Sequence, residues 1–440
     1  MSANLQNWGR TRRAARVATT SLNGLANAAT GSRLPFGNGR SYGDSCHNDS
    51  GVLLDRRSAS GIISFDLATG RVRVRAGTML HDLVRHVLPA GWFPPVVPGT
   101  RYVTIGGAFA NDVHGKNHYC RGTFAAHVER FELVRSDGMA VIERGDPLFA
   151  ATAGGMGLTG VVTWLDMQLM PAPGPRIRQR NAPFVTLGEY FDRAGDADAQ
   201  HEYSVAWLDA ASPTNRGILL NGDHAEGVAE IPAQPRLGVP FQPPFSVLNK
   251  VTVGAFNTAY RLAQTRKAER IVSAASYFWP LDGVANWNRL YGPRGLHQHQ
   301  SVVPFGAKAA IGDLLQAARD AGQTSFLTVL KRFGEAAPQG ALSFPMPGYT
   351  LTLDFPHRGA STLALLDRLD DITLDAGGRT NAYKDSRMSA RTFQRGYPRW
   401  HEVETSRDPT IMSDFWRRCA ARPVVDAPPL TPELLTEVPA

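Results

Sequence analysis

The chain has 440 residues, enough for two domains and a large core, and it contains no run of eighteen apolar residues able to cross a membrane as a helix. A net charge of +8 and a pI of about 9.6 suit an anionic substrate or an anionic membrane face. The basic residues are scattered, however, with no basic helix, zinc spacing or aromatic-and-basic groove, which argues against nucleic acid.

The start, Met1-Ser2-Ala3-Asn4-Leu5-Gln6, lacks an apolar core of the signal-peptide kind. The expectation is a cytoplasmic protein, with the inner-membrane periphery and the periplasm left open. Cys46, Cys120 and Cys419 are odd in number and lack metal-ligand spacing, which predicts free thiols, no disulfide frame and no metal site.

In chain order, the strand-like Arg33-Leu34-Pro35-Phe36 runs into Gly37-Asn38-Gly39-Arg40-Ser41-Tyr42-Gly43-Asp44-Ser45. Glycines at this density let backbone N–H groups approach a phosphate, and Arg40 and Ser41 add a cation and a hydroxyl. The spacing fails the nicotinamide fingerprint: the sixth position is Tyr42, and Gly43 comes one place late. Val52 to Asp55 reads as a second strand, so the loop joins two strands rather than opening a helix.

Strands are predicted at Ile62 to Asp66 and Arg71 to Gly77, followed by a helix over Met79 to Leu88 capped by Thr78 and ended by Pro89 and Gly91. A second glycine cluster covers Pro98-Gly99-Thr100 and Thr104-Ile105-Gly106-Gly107, leading to Val113-His114-Gly115-Lys116-Asn117-His118. Further strands are predicted at Val128 to Arg135 and Gly160 to Met170, the latter after a third cluster, Gly154 to Gly160. Three glycine-dense segments beside β-branched runs predict one large flat ligand touched by several backbone loops. The competing reading is three unrelated turns.

Pro171, Pro173 and Pro175 mark a domain boundary. Between Gly227 and Phe256 the prolines exclude a packed helix or central strand. Phe241 and Phe245 there suit a lipid tail or membrane face, or pack on their own domain. Leu363 to Leu374 predicts a helix capped by Ser361 or Thr362 and stopped by Gly377-Gly378.

The glycine loop, Pro98-Gly99-Thr100, Val113 to His118, Gly157-Leu158-Thr159-Gly160, Lys331-Arg332-Phe333-Gly334, Leu342-Ser343-Phe344-Pro345 and Lys384-Asp385-Ser386-Arg387 together resemble one family. It is the vanillyl-alcohol-oxidase-type flavoproteins with a PCMH-type FAD-binding domain. The resemblance runs in order from Trp8-Gly9-Arg10 to Trp416-Arg417-Arg418. It is strongest to the branch acting on polyprenyl-phosphoryl ribose, the flavin subunits of ribose-to-arabinose epimerase pairs.

The resemblance implies an α+β protein of two domains. Residues 1–177 and 379–440 would form a discontinuous FAD domain, and 178–378 a substrate domain built on an antiparallel sheet flanked by helices. The implied FAD contacts are Pro35, Phe36, Gly37, Asn38, Gly39, Arg40, Ser41, Tyr42, Gly43, Asp44, Gly99, Thr104, Ile105, Gly106, Gly107, His114, Gly115, Lys116, Asn117, Val162 and Asn381. Gln298, Gln300, Lys331, Thr352 and Lys384 would meet the substrate, with Lys331 at its phosphate. Arg40 stands where related sugar-alcohol oxidases carry a flavin-linked histidine, so FAD is expected to be non-covalent. Mycobacterial members of the family that this chain resembles have Cys where Thr352 stands and Tyr where Asn381 stands.

Oxidising a secondary alcohol needs a hydride acceptor, a group for the hydroxyl proton and stabilisation of the reduced flavin's charge. Lys384 is the first candidate, as ammonium or as desolvated base; its competing reading is an ion pair with Asp385. His114 is either the base or a hydrogen-bond partner of the flavin, and Tyr42 positions the substrate. The expected activity is oxidation of the 2′-hydroxyl of a polyprenyl-phosphoryl ribose to the 2-keto sugar, for cell-envelope polysaccharide. A short-chain NADH-dependent reductase would be the partner, with peripheral membrane contact. The alternatives are an aldonolactone or polyol oxidase of the same fold, and a flavin-binding scaffold without catalysis.

Overall fold

The computed structural model describes residues 5–12, 17–22, 25, 31–228, 231, 235 and 237–420. Positions 232–234 of the proline-rich segment and 421–440 of the expected C-terminal segment lie outside them.

Helices and antiparallel sheets mix in an α+β arrangement. The Arg33–Phe36 strand pairs in parallel with Val52–Asp55. The glycine loop therefore joins two strands as expected, with a single 3₁₀ turn at Asp44–Cys46 between them. A five-stranded antiparallel sheet follows, in the order Ile62–Phe65, Arg71–Arg75, Val161–Gln168, Val128–Arg135, Gly138–Glu143. Alternation in Arg71–Arg75 buries Val72 and Val74, while the flanking arginines stay at least partly exposed. The Leu80–Val87 helix lays Leu83, Val84 and Val87 on this core. Each such side chain contributes about 1.5–3 kcal/mol on burial.

Two helix starts differ from expectation. The first helix begins after Met79, not Thr78, because the Thr78 hydroxyl accepts instead from the Gly61 N–H at 2.9 Å. The late helix spans Ala360–Asp375 with Gly359 (φ +78) before it. Thr362 sits inside its first turn, and its hydroxyl bonds the Pro356 carbonyl.

An eight-stranded antiparallel sheet carries the second half of the chain. Its order is Glu269–Ser273, Arg176–Phe184, Gly217–Ala225, Tyr203–Leu208, Thr328–Phe333, Gly348–Pro356, Leu296–Val303, Arg379–Thr380. The helices Leu187–Gln200, Ala310–Asp320 and Ala360–Asp375 contribute to one hydrophobic core with it.

The chain then returns to its beginning. Phe393, Ile411, Phe415 and Trp416 share a buried cluster with Leu34, Phe36, Leu53 and Leu54. Across this seam the Arg33 N–H donates to the Thr410 carbonyl at 2.8 Å and the Met412 N–H donates to the Arg33 carbonyl at 2.9 Å, and Arg418 pairs with buried Asp44 at 2.8 Å. Among the described residues no helix is long and apolar enough to cross a membrane.

Candidate active site

A cavity of about 440 Å³ lies where the glycine loop, the five-stranded sheet and the eight-stranded sheet meet. Residues 35–42 line one wall, with Gly99, Thr104, Gly106, Gly107, His114, Gly115, Lys116 and Val162. The facing wall carries Gln298, Gln300, Lys331, Thr352, Asn381 and Lys384. Trp8, well before the glycine loop in sequence, also joins the lining, its backbone N–H donating to the Ser41 carbonyl at 2.8 Å.

Four expected contacts stand behind the wall. Ile105 is buried in the hydrophobic core. Asn117 donates to the Pro95 carbonyl and to Glu202. Asp44 is clamped by Arg418, and Gly43 lies against the backbone of Asp385. Their work is to hold the wall, not to line it.

The loop geometry has local causes. The Thr104 hydroxyl accepts from the Gly107 N–H at 3.1 Å and caps the Ile105–Ala110 helix. That hydroxyl leaves no room at position 37, where a Cβ would lie 2.4 Å from it, so glycine is required. Asn38 donates to the Tyr102 carbonyl at 2.7 Å and pins the loop's crest. The Arg40 guanidinium lies 4.3 Å over the Trp8 ring and 5.5 Å over Tyr102.

On the facing wall, period-two alternation places Gln298 and Gln300 on one face of their strand, opposite Asp354 and Thr352. Gln298 donates to the Asp354 carboxylate at 2.5 Å. Burial pushes Asp354 up to about 7, against the pull of Gln298 and Lys384. Burial pushes Lys384 down to about 8, with Asp354 opposing. Its ammonium lies 5.9 Å over the Tyr42 ring. Asp385 pairs with Arg387 at 3.4 Å in place of the competing Lys384–Asp385 ion pair, and the carboxylate charge that acts on Lys384 is that of Asp354.

Asp354 was not legible as a site residue, although Thr350-Leu351-Thr352-Leu353-Asp354 alternates and puts the acid on the face of Thr352. Asp282 was missed as well: it accepts from Thr100 Oγ1 and the Arg101 N–H, both at 2.8 Å, and its charge faces Arg40. The remaining cations are deep. Lys116 donates to the Tyr277 carbonyl and sits 4.1 Å over that ring, pushed down to about 7 by burial. His114 bridges Gln300 Nε2 (3.1 Å) and Lys331 Nζ (3.0 Å).

These residues fit a flavin dinucleotide. A Cβ on Gly99 would meet no protein atom within 4 Å, so nothing in the protein demands glycine there, and the position faces the cavity. A ligand pressed against the backbone does demand it. Arg40 Nε is buried with no hydrogen-bond partner among the described residues, a donor placed for a phosphate oxygen.

Comparison with known proteins agrees. Residues 21–142 match the FAD binding domain family. The decaprenylphosphoryl-beta-D-ribose oxidase of Mycolicibacterium smegmatis is 34% identical over 405 residues, covering 87% of this chain and 88% of its own. An uncharacterised protein from the mprA 5′ region of Streptomyces coelicolor is 36% identical over 366 residues, 77% of this chain and 99% of its own. A D-lactate dehydrogenase of Anaerostipes hadrus is 25% identical over 131 residues, 28% of each chain. Fold and site define an FAD-dependent oxidoreductase. The chain belongs to the family of FAD-binding oxidases that includes the Mycolicibacterium decaprenylphosphoryl-beta-D-ribose oxidase.

Proposed function

We propose that this enzyme oxidises the 2′-hydroxyl of a polyprenyl-phosphoryl-β-D-ribose to the 2-keto sugar, the first half of a ribose-to-arabinose epimerisation. The observation that carries the reading is one cavity wall combining a buried lysine with amide and hydroxyl side chains, Gln298, Gln300 and Thr352, next to an aromatic exit. Amides and hydroxyls suit a sugar ring. Likeness to the ribose oxidase over most of both chains supports the substrate class.

FAD, when bound, supplies the hydride acceptor. The glycine loop and Arg40 hold its pyrophosphate, and with Arg40 in the loop the cofactor is dissociable. Gln298 and Gln300 orient the sugar. Lys384 takes the hydroxyl proton: desolvation makes its free amine accessible near neutral pH, and Asp354 moderates that loss of charge. Tyr42 positions the sugar beside Lys384.

The aromatic exit suits a prenyl chain. Trp207 and Tyr260 line the cavity with ring centroids 5.0 Å apart, Tyr260 stacks on Phe256 at 5.8 Å, and Phe256 is partly exposed. Leu237, Phe241 and Phe245 are about 70% exposed in the proline-rich segment nearby in sequence. An anionic membrane face is the partner this surface fits, and a short-chain NADH-dependent reductase would consume the keto product. Residues 1–177 with 379–440 form the FAD domain in this reading, and 178–378 the substrate domain; the buried cluster joining Trp416 to Leu34 supports that division.

The test is anaerobic incubation of the purified holoenzyme with farnesylphosphoryl ribose. Bleaching of the flavin bands with formation of the 2-keto sugar is expected. Bleaching by free ribose or aldonolactones, and none by the lipid phosphate, would favour the polyol-oxidase alternative.

A further inference from the structure

We propose that a hydrogen-bond chain starting at a backbone N–H fixes His114 as the Nδ1–H tautomer and holds Lys331 as an uncharged amine. His114 is then a positioning residue rather than the base, and the Lys331 end of the cavity receives a neutral hydroxyl-bearing group rather than a phosphate.

The chain has four links, and the donor sense of each follows from the one before. The Tyr383 N–H donates to Asn381 Oδ1 at 3.0 Å, and a main-chain N–H can only donate. That fixes the Asn381 amide, so its Nδ2 donates to Gln300 Oε1 at 3.0 Å. Gln300 Nε2 is thereby fixed as the donor end, and it faces Thr350 Oγ1 at 3.0 Å and His114 Nε2 at 3.1 Å. His114 Nε2 must accept. A neutral imidazole carries one proton, which leaves it on Nδ1. Nδ1 lies 3.0 Å from Lys331 Nζ. An ammonium has no lone pair to receive that proton; a free amine does.

The surroundings favour the same state. The titratable groups facing the pair are Lys116, His118 and Lys384. Among the described residues no carboxylate hydrogen-bonds or ion-pairs with either side chain. Burial first, and then the charge of neighbouring lysines, holds His114 and Lys331 well below their ordinary values. An uncharged Lys331 donates weakly, to the Gly115 carbonyl at 3.4 Å, and keeps a second N–H for the cavity. An amine is a poor anchor for phosphate and a good partner for a hydroxyl, so the substrate's anionic group belongs elsewhere in the cavity. The proton assignment, read by spectroscopy, stands apart from the identity of the substrate, whereas the group received at the Lys331 end, read by KM, rests on the proposed function.

The test is nitrogen-15 spectroscopy of the histidine-labelled holoenzyme at neutral pH, with the His114 signals identified by their loss in H114Q. A protonated Nδ1 and a lone pair on Nε2 are expected in the wild type. Two variants move the signal in opposite ways. In K331Q the side-chain carbonyl can accept from Nδ1–H, so the tautomer is kept. In Q300E the carboxylate accepts from Nε2, so the tautomer inverts. The order of harm is also inverted from ordinary charge conservation: K331R, a permanent cation, raises KM for the sugar substrate roughly tenfold or more, while K331Q changes it less. An Nε2–H tautomer or an imidazolium in the wild type, or K331R milder than K331Q, overturns the proposal.

Discussion

The Gly43 α-carbon faces the carbonyl of Asp385 so closely that a Cβ would lie 1.7 Å from that oxygen. The phosphate loop and the segment bearing Lys384 are thus docked backbone to backbone, 342 positions apart in the chain (385 − 43). This contact sets one loop at two parts of the cavity: Gly37 to Ser41 line the wall proposed to hold the cofactor, and Tyr42 faces Lys384. Gly43→Ala forces the two backbones apart at a cost of about 1–3 kcal/mol, typical of overpacking. Reduced thermal stability together with a lower flavin-to-protein absorbance ratio is expected.

Gly99 gives the complementary case. Its missing side chain faces empty space within the protein, so Gly99→Val adds bulk that only the cofactor meets. The apoprotein should melt within a degree or two of wild type, and FAD titration should show affinity reduced by roughly tenfold or more. A variant that binds FAD normally would remove Gly99 from the cofactor surface.

Much of the fold was legible because short-range signals carried it: the alternation of Arg71–Arg75, the glycine punctuation, and the proline break before Arg176. The glycine loop was legible as a strand-to-strand connection, and its place in a cavity wall was suggested only by the three glycine clusters taken together. The charge partners were not. Asp354 lies thirty positions from Lys384, on a separate strand, and its charge reaches the lysine only through the tertiary fold. Sequence adjacency favoured Asp385, which folds back onto Arg387. The helix starts were misjudged for a similar reason, since the Thr78 hydroxyl found a partner in Gly61, seventeen residues earlier.

The charge of Asp354 acting on Lys384 predicts a pH dependence. Asp354 raises the lysine against desolvation, so Asp354→Asn lowers the Lys384 value further. If the free amine is the base, flavin reduction rises with pH through about 8 in the wild type and reaches its plateau at lower pH in the variant. Stopped-flow reduction across pH 6 to 10 measures the shift. An unmoved profile would separate Asp354 from the base.

The exposed apolar segment predicts membrane partition. Phe241→Ser with Phe245→Ser removes two aromatic side chains that touch little of the protein. Co-sedimentation with phosphatidylglycerol-containing vesicles should fall by roughly tenfold or more, while turnover of a short-chain substrate in detergent is kept. Equal binding by both proteins would exclude this face.

The most direct measurement is the visible spectrum of the holoenzyme during anaerobic titration with farnesylphosphoryl ribose, for wild type and Lys384→Met. The account predicts oxidised-flavin bands in both proteins, stoichiometric bleaching in the wild type, and bleaching slowed at least roughly a hundredfold in the variant. A wild-type flavin that stays oxidised in the presence of this substrate, or a variant reduced as fast as wild type, contradicts it.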